Sequence, residues 1–415
     1  MNIRKYFGLV ENFVSYFLFK VIDAIIPLII IPYLFKVVGI ENYGIYAFAY
    51  ALIFYLQNII QFGFLLSAVR TIAVIRDNKK KLSKVYNNVF TTQVYFFILS
   101  IFLLVLLILL VPKIGEHYII YCFFSLLLIG ELFSPMWFFL GVEKMRFITI
   151  VNVISKSAFA ILCFVLIKEE SDYIYISLYH ATGYIVSGII AQIIIYKQFE
   201  IRFRFAKFHE VKQTVKEAWS SFLTLISPTI YHNTSIFLVG IFGVPSHVGF
   251  MQIGSKVSGA FGVVNTIMTS VLYPFLNRNK SAINTTRYVF IAFGILLSLS
   301  MYFFADVLIN LWLNRMDRHS ESVEIIRVVK YLSPSPFLAS MISAFGVNGL
   351  MIYKKDKLYS NIIIIGSFLG LIAGLILIPR YHYIGGAITI IFALSVKALL
   401  SCFYLIKTMR KQKHI

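Results

Sequence analysis

VIDAIIPLIIIPYLFKVVGIENYGIYAFAYALIFYLQNIIQFGFLLSAVRTIAVIRDNKKKLSKVYNN, residues 21–88, decides how the rest of the chain is read. An apolar helix carrying Pro27 and Pro32 leads to a short turn at Gly39–Tyr43. A second apolar helix follows and ends in a basic run holding Arg70, Arg76, Lys79, Lys80, Lys81 and Lys84. Each arm is about as long as the roughly 20 residues a helix needs to cross the hydrocarbon core. Lys and Arg collect in cytoplasmic loops, so the hairpin starts inside, turns outside and returns. The pattern predicts an all-α integral membrane protein.

Composition points the same way. Of the 415 residues, 59% are hydrophobic, against roughly 45–50% in a soluble domain, so the excess belongs in lipid. The net charge of +20 lies in short clusters between apolar runs, which fits a positive-inside distribution better than a nucleic-acid surface. Cys122, Cys163 and Cys402 sit inside apolar spans without metal-ligand spacing. No cofactor, metal or catalytic residue is expected, and no nucleotide-binding glycine loop is present. The N-terminus lacks a cleavage-site pattern and reads as the retained lead into the first helix.

Apolar runs predict twelve spans, near 11–35, 43–69, 89–111, 117–140, 147–167, 173–196, 219–242, 248–276, 288–305, 324–350, 358–378 and 384–406. On this topology 26 of the 38 Lys and Arg residues lie inside and 6 outside, which puts both termini in the cytoplasm. The domains expected are an N-terminal lobe (1–196), a linker (197–218) and a C-terminal lobe (219–415), with six helices in each lobe. In the linker Val211, Val215, Trp219 and Leu223 recur every four residues, the pattern of a helix lying in the interface. A solvated connector is the alternative. Pro228, Gly243, Pro245 and Gly249 repeat the broken-helix and glycine-turn plan of the first hairpin, so the lobes read as parallel, pseudo-symmetric copies around a central cavity.

The run VGIENYGIYAFAYALIFYLQNIIQFGFLLSAVRTIAVIRDNKKKLSKVYNNV resembles the first signature of the bacterial O-antigen flippases of the Wzx type. These are polysaccharide transporters of the multidrug/oligosaccharidyl-lipid/polysaccharide exporter superfamily. The matching positions are Gly39, Tyr43, Gly44, Gly63, Ser67, Ala68, Arg70, Arg76 and Leu82. A second match, PMWFFLGVEKMRFITIVNVISK, holds Pro135, Trp137, Gly141, Glu143, Met145 and Lys156. YPFLNR (273–278) and FGVNGLMIYKKDKLYSNI (345–362) match more weakly. The resemblance implies a cavity lined mainly by spans one, two, seven and eight. It also implies movement of an undecaprenyl-pyrophosphate-linked oligosaccharide to the periplasmic leaflet of the bacterial inner membrane, with membrane lipid, polymerase and chain-length proteins as partners. A multidrug or metabolite antiporter of the same superfamily is the second reading, and a polymerase or ligase of the pathway the third. Intramembrane lysines outnumber acids, which argues against the second; short outer loops argue against the third.

A cation at mid-bilayer costs at least about 2.5–3.5 kcal/mol, so it faces protein or a wet cavity. Lys20, Lys156, Lys256 and Lys397 fall inside spans, and Arg70 ends span two, making a candidate cationic lining for a pyrophosphate. Snorkelling to the interface is the bland alternative for each lysine. Asp23 follows Lys20 by three residues on one helix face, and Glu131 lies in span four; both are candidates for ion coupling or for structural pairs. Pro27, Pro32 and Pro228 remove backbone hydrogen bonds and read as hinges or static kinks.

Overall fold

The computed structural model describes residues 3–279, 282–313 and 319–413, and every element among them is helical. The order is α1 (Ile3–Gln61), α2 (Phe64–Ile75), α3 (Lys79–Leu110), α4 (Pro112–Gly115), α5 (Tyr118–Leu132), α6 (Met136–Gly141), α7 (Met145–Leu166) and α8 (Tyr173–Phe199). Then come α9 (Phe208–Phe242), α10 (Pro245–Arg278), α11 (Ile283–Leu313), α12 (His319–Leu332), α13 (Ser335–Met341), a π-helical run (Ile342–Met351) and α14 (Asp356–Lys413). Helices satisfy every backbone polar group within the segment, which is what hydrocarbon demands. The charges counted at Lys280, Arg315 and Arg318 lie outside the described residues.

Among the described residues nine helices are long and apolar enough to cross a membrane. Two of them, Phe17–Ile75 and Asp356–Arg410, run for 59 and 55 residues, room for two crossings each. Each contains a non-helical residue where the sequence places a turn between spans: Gly39 (φ 79°, ψ 168°) and His382 (φ 48°, ψ −124°). The prolines of α1 are not the break; the helix runs on through Pro27 and Pro32. The stretch expected as span 324–350 is instead divided into α12, α13 and the π-helical run. Pro334 and Pro336 sit at that division, where a ring without an N–H ends one helix and opens the next.

The chain forms two compact units, residues 1–226 and 227–415, and α9 gives residues to both. In the first unit an aromatic core gathers Phe64, Tyr86, Trp137, Phe138 and Phe139, with Ile72 fully buried among them. Two of its aromatic residues pair their polar atoms: Trp137 Nε1 donates to Gln93 Oε1 (3.1 Å) and the Tyr86 hydroxyl to Gln192 Oε1 (2.6 Å). In the second unit Phe290, Phe345, Ile362 and Leu405 form a smaller core beside the π-helical run.

Two contacts decide how the linker stretch lies. Residues 201–207 are neither helix nor strand, and α3 pins them: the backbone N–H of Arg204 donates to Asn87 Oδ1 (3.0 Å) and that of Ala206 to Thr91 Oγ1 (3.0 Å). The opening turns of α9 then pack on the aromatic core through Ala218, Val215 and Phe222. Val211 is buried, while Trp219 and Leu223 stay exposed, so the four-residue stripe is divided between protein and surroundings. Gly63 makes this approach feasible. Its φ is 76°, and a Cβ there would lie 2.3 Å from the backbone N of Phe222. That is why the helix of span two breaks at Phe62–Gly63 and restarts as α2.

Candidate functional site

The first unit encloses a cavity of about 310 Å³ among α1, α5, α7, α8 and the start of α9. Glu131 of α5 enters it from an otherwise apolar helix. Gln57 and Gln61, four residues apart on one face of α1, donate from their Nε2 atoms to its two carboxylate oxygens at 2.8 and 2.5 Å. An ionised carboxylate only accepts, so both amides must turn their NH2 groups towards it. The carbonyl oxygens are thereby directed elsewhere, and both are buried without a donor. Asn152 Oδ1, on α7 in the same wall, is also buried without a donor.

Lys156, one turn beyond Asn152, lines the same cavity. Its Nζ lies 3.5 Å from Asp23 Oδ1, an ion pair between α7 and α1. The lysine is mostly covered while Asp23 is 46% exposed, so the pair sits at the boundary of the cavity wall. Sequence spacing linked Asp23 only with Lys20; the partner on α7 emerges from the packing of α1 on α7. Lys20 is half-buried, with its ammonium 5.2 Å from the centroid of the Phe19 ring.

Arg70 lies in a separate pocket of about 250 Å³ formed by α2, α3 and α9, where Ser67, Thr71, Asn88, Glu217 and Ser221 face it. The second unit holds Lys256 and Lys397, both within electrostatic reach of His232 on α9. Lys397 is 2% exposed, and its Nζ stands 3.5 Å from the centroid of the Tyr231 ring. Among the described residues no carboxylate lies at ion-pair distance from it. Gly366 gives its stem room: a Cβ there would be 2.4 Å from Lys397 Cγ. Tyr231 and His232 border a small cavity of about 150 Å³ with Ser258 and Ser335, whose hydroxyls are 2.6 Å apart. Pro228 lies within α9, one residue past the start of this unit.

The structure thus gathers Asp23, Glu131 and Lys156 around one cavity, sets Lys256 and Lys397 each within electrostatic reach of His232, and sets Arg70 apart. Gln57, Gln61 and Asn152 were not singled out from sequence. The signal was there: Gln57/Gln61 and Asn152/Lys156 are each polar pairs four residues apart inside apolar helices.

Several positions of the quoted signatures serve architecture. Arg76, following α2, pairs with Glu143 in the turn before α7, joining the first signature to the second. That carboxylate holds the Arg76 guanidinium further above its usual range. Both side chains are more than a third exposed, so the pair fixes geometry more than it adds stability. Gly141 meets Ile72, where a Cβ would come within 2.6 Å.

A family model described as "Polysaccharide biosynthesis protein" matches residues 9–280. The chain belongs to that family. Both quoted signatures fall inside the matched segment. A protein of Escherichia coli (strain K12) named "Putative O-antigen transporter" is 26% identical over 89% of this chain and 90% of its own length. A Shigella dysenteriae protein of the same name is 25% identical over 92% of this chain and 96% of its own. Among solved structures, the lipid II flippase MurJ in an inward closed conformation superposes with a TM-score of 0.69 at 14% identity, over 97% of this chain and 87% of that one. An inward-facing multidrug resistance transporter of the MATE family gives 0.65, also at 14% identity, over 94% and 99%. At that identity the likeness establishes the fold, that of the exporter superfamily, and the chain is a multi-pass membrane protein.

Proposed function

We propose that this protein is a flippase that moves an undecaprenyl-pyrophosphate-linked O-antigen or similar repeat unit from the cytoplasmic to the periplasmic leaflet by alternating access. The near full-length match to two proteins named for O-antigen transport carries the reading. It is a transporter and not an enzyme on this account, placed in the inner membrane with both termini in the cytoplasm. The two six-helix lobes, 1–196 and 219–415, rock about the linker 197–218, with Pro27, Pro32 and Pro228 as bending points.

Cationic groups take the pyrophosphate: Lys20 and Lys256 first, then Arg70, Lys156 and Lys397. Lysine is a compact point charge that holds phosphate without the locked fork of arginine, so it can hand the group on. Asp23 and Glu131 are the acids placed to couple transport to an ion. Polymerase and chain-length proteins of the same pathway would receive the product. The Arg70 pocket, where the guanidinium shares the lining with Ser67, Thr71, Ser221 and Glu217, supports a first capture step.

Complementation tests the reading. In a strain lacking its own flippase, the chain is expected to restore the surface-polysaccharide ladder for at least one of a panel of lipid-linked repeat units. Drug resistance gained without any ladder would favour the antiporter of the same superfamily. For the orientation, an impermeant thiol reagent should miss cysteines placed at Lys80 and Lys207 and label those at Lys36 and Arg318. The reverse pattern would invert the topology.

A further inference from the structure

We propose that the cavity bounded by Gln57, Gln61, Glu131 and Asn152 is a monosaccharide subsite that reads the hydroxyl groups of one sugar in the transported oligosaccharide. The inference rests on the flippase reading and adds which residues of residues 1–226 set sugar specificity. Three observations carry it. The first is the set of three buried carbonyl oxygens without donors, Gln57 Oε1, Gln61 Oε1 and Asn152 Oδ1, all in one wall system. Buried acceptors left unsatisfied are costly, and a protein retains them where water or a ligand completes them. These are acceptors alone, so the ligand must bring donors. A phosphate dianion has none to give, and an apolar drug has none at all. Sugar hydroxyls do.

The second observation is size. About 310 Å³ is room for a single pyranose with a few waters, and too little for a polyprenyl chain or a whole repeat unit. Phe54, Tyr184 and Phe222 supply flat walls for the C–H faces of a ring. The third is charge. Lys156 and Glu131 both line the cavity, so their opposite charges offset and a neutral polyhydroxylated ligand suits it.

Glu131 is a positioning residue here. It touches the amides, not the sugar: by accepting from both Nε2 atoms it fixes which end of each glutamine faces the cavity. Replacing it with an amide removes that instruction, because Gln can both donate and accept.

The test uses the full chain in proteoliposomes with synthetic undecaprenyl-pyrophosphate disaccharides. One is fully hydroxylated and the others each lack one hydroxyl of a single hexose; flipping is scored by lectin access to the far leaflet. Gln61→Met and Asn152→Leu each delete one acceptor at nearly constant volume. The melting temperature of Asn152→Leu is expected to hold or rise, because a buried unsatisfied acceptor is gone, whereas Gln61→Met also takes a donor from the Glu131 carboxylate and is expected to lower it. Flipping of the fully hydroxylated lipid should fall about tenfold for one lost hydrogen bond, while at least one deoxy lipid is spared. Glu131→Gln should shrink the ratio of flipping rates between the fully hydroxylated and deoxy lipids, a ratio in which any common loss from ion coupling cancels, without a change in protein level. Equal losses across the lipid set, or no loss, would overturn the subsite and leave the flippase reading standing. A wild-type chain that flips none of the lipids would overturn both.

Discussion

The two units hold their buried cations in opposite ways. In residues 1–226, Lys156 is paired with Asp23 at 3.5 Å, and the nearby Glu131 is clasped by two amides. In residues 227–415, Lys397 is 2% exposed and rests on the Tyr231 ring, with His232 and Lys256 adding positive or polar character around it. An ion pair with one half-exposed partner gains little net energy, because screening at Asp23 offsets much of the attraction. A buried ammonium over a ring depends on that ring, because nothing else offsets its desolvation. The first arrangement is easily rearranged by a ligand; the second is held by packing. Charge therefore means accessibility in one unit and internal constraint in the other.

The largest expected effect falls in the second unit. Tyr231→Leu should destabilise the protein by about 3 kcal/mol by leaving the Lys397 ammonium buried without its ring. Lys397→Met alone should be close to neutral, and the double variant should recover most of the loss. Thermal unfolding of the purified protein measures all three; simple additivity of the two single changes would break the contrast.

A smaller effect is expected at Gly366→Ala. The new methyl would press on the Lys397 stem at 2.4 Å, at a cost of about 1–2 kcal/mol after the better helix propensity of alanine is counted. Combining it with Lys397→Ala should relieve the crowding. If the pair of changes is as unstable as Gly366→Ala alone, the stem is not what the glycine accommodates.

The smallest stability change belongs to the first unit. Asp23→Asn should shift unfolding by less than about 1 kcal/mol, since the carboxylate is nearly half exposed and screened. A loss as large as that of Tyr231→Leu would show that both units constrain their lysines alike.

Much of this protein was written in composition and spacing. Twenty-residue apolar runs and the glycine turn at 39 dictate membrane helices, because lipid does not tolerate open backbone. The signatures around Gly39 and Trp137 carried the family. Sequence also marked Lys20, Asp23, Glu131, Lys156, Lys256 and Lys397 as polar atoms in the wrong solvent. What it left open was their company.

That Asp23 meets Lys156 rather than only its helix neighbour, that Glu131 takes both Gln57 and Gln61, and that Lys397 lies on Tyr231 are facts of packing between α1, α5, α7, α9 and α14. The same holds for Gly63, whose need for glycine comes from the Phe222 backbone more than 150 residues away. Within one helix the 3.6-residue period tells which side chains share a face. Which face of which other helix lies opposite is set by ridges, small residues and close backbone approaches summed over the whole unit, and only the tertiary structure decides it.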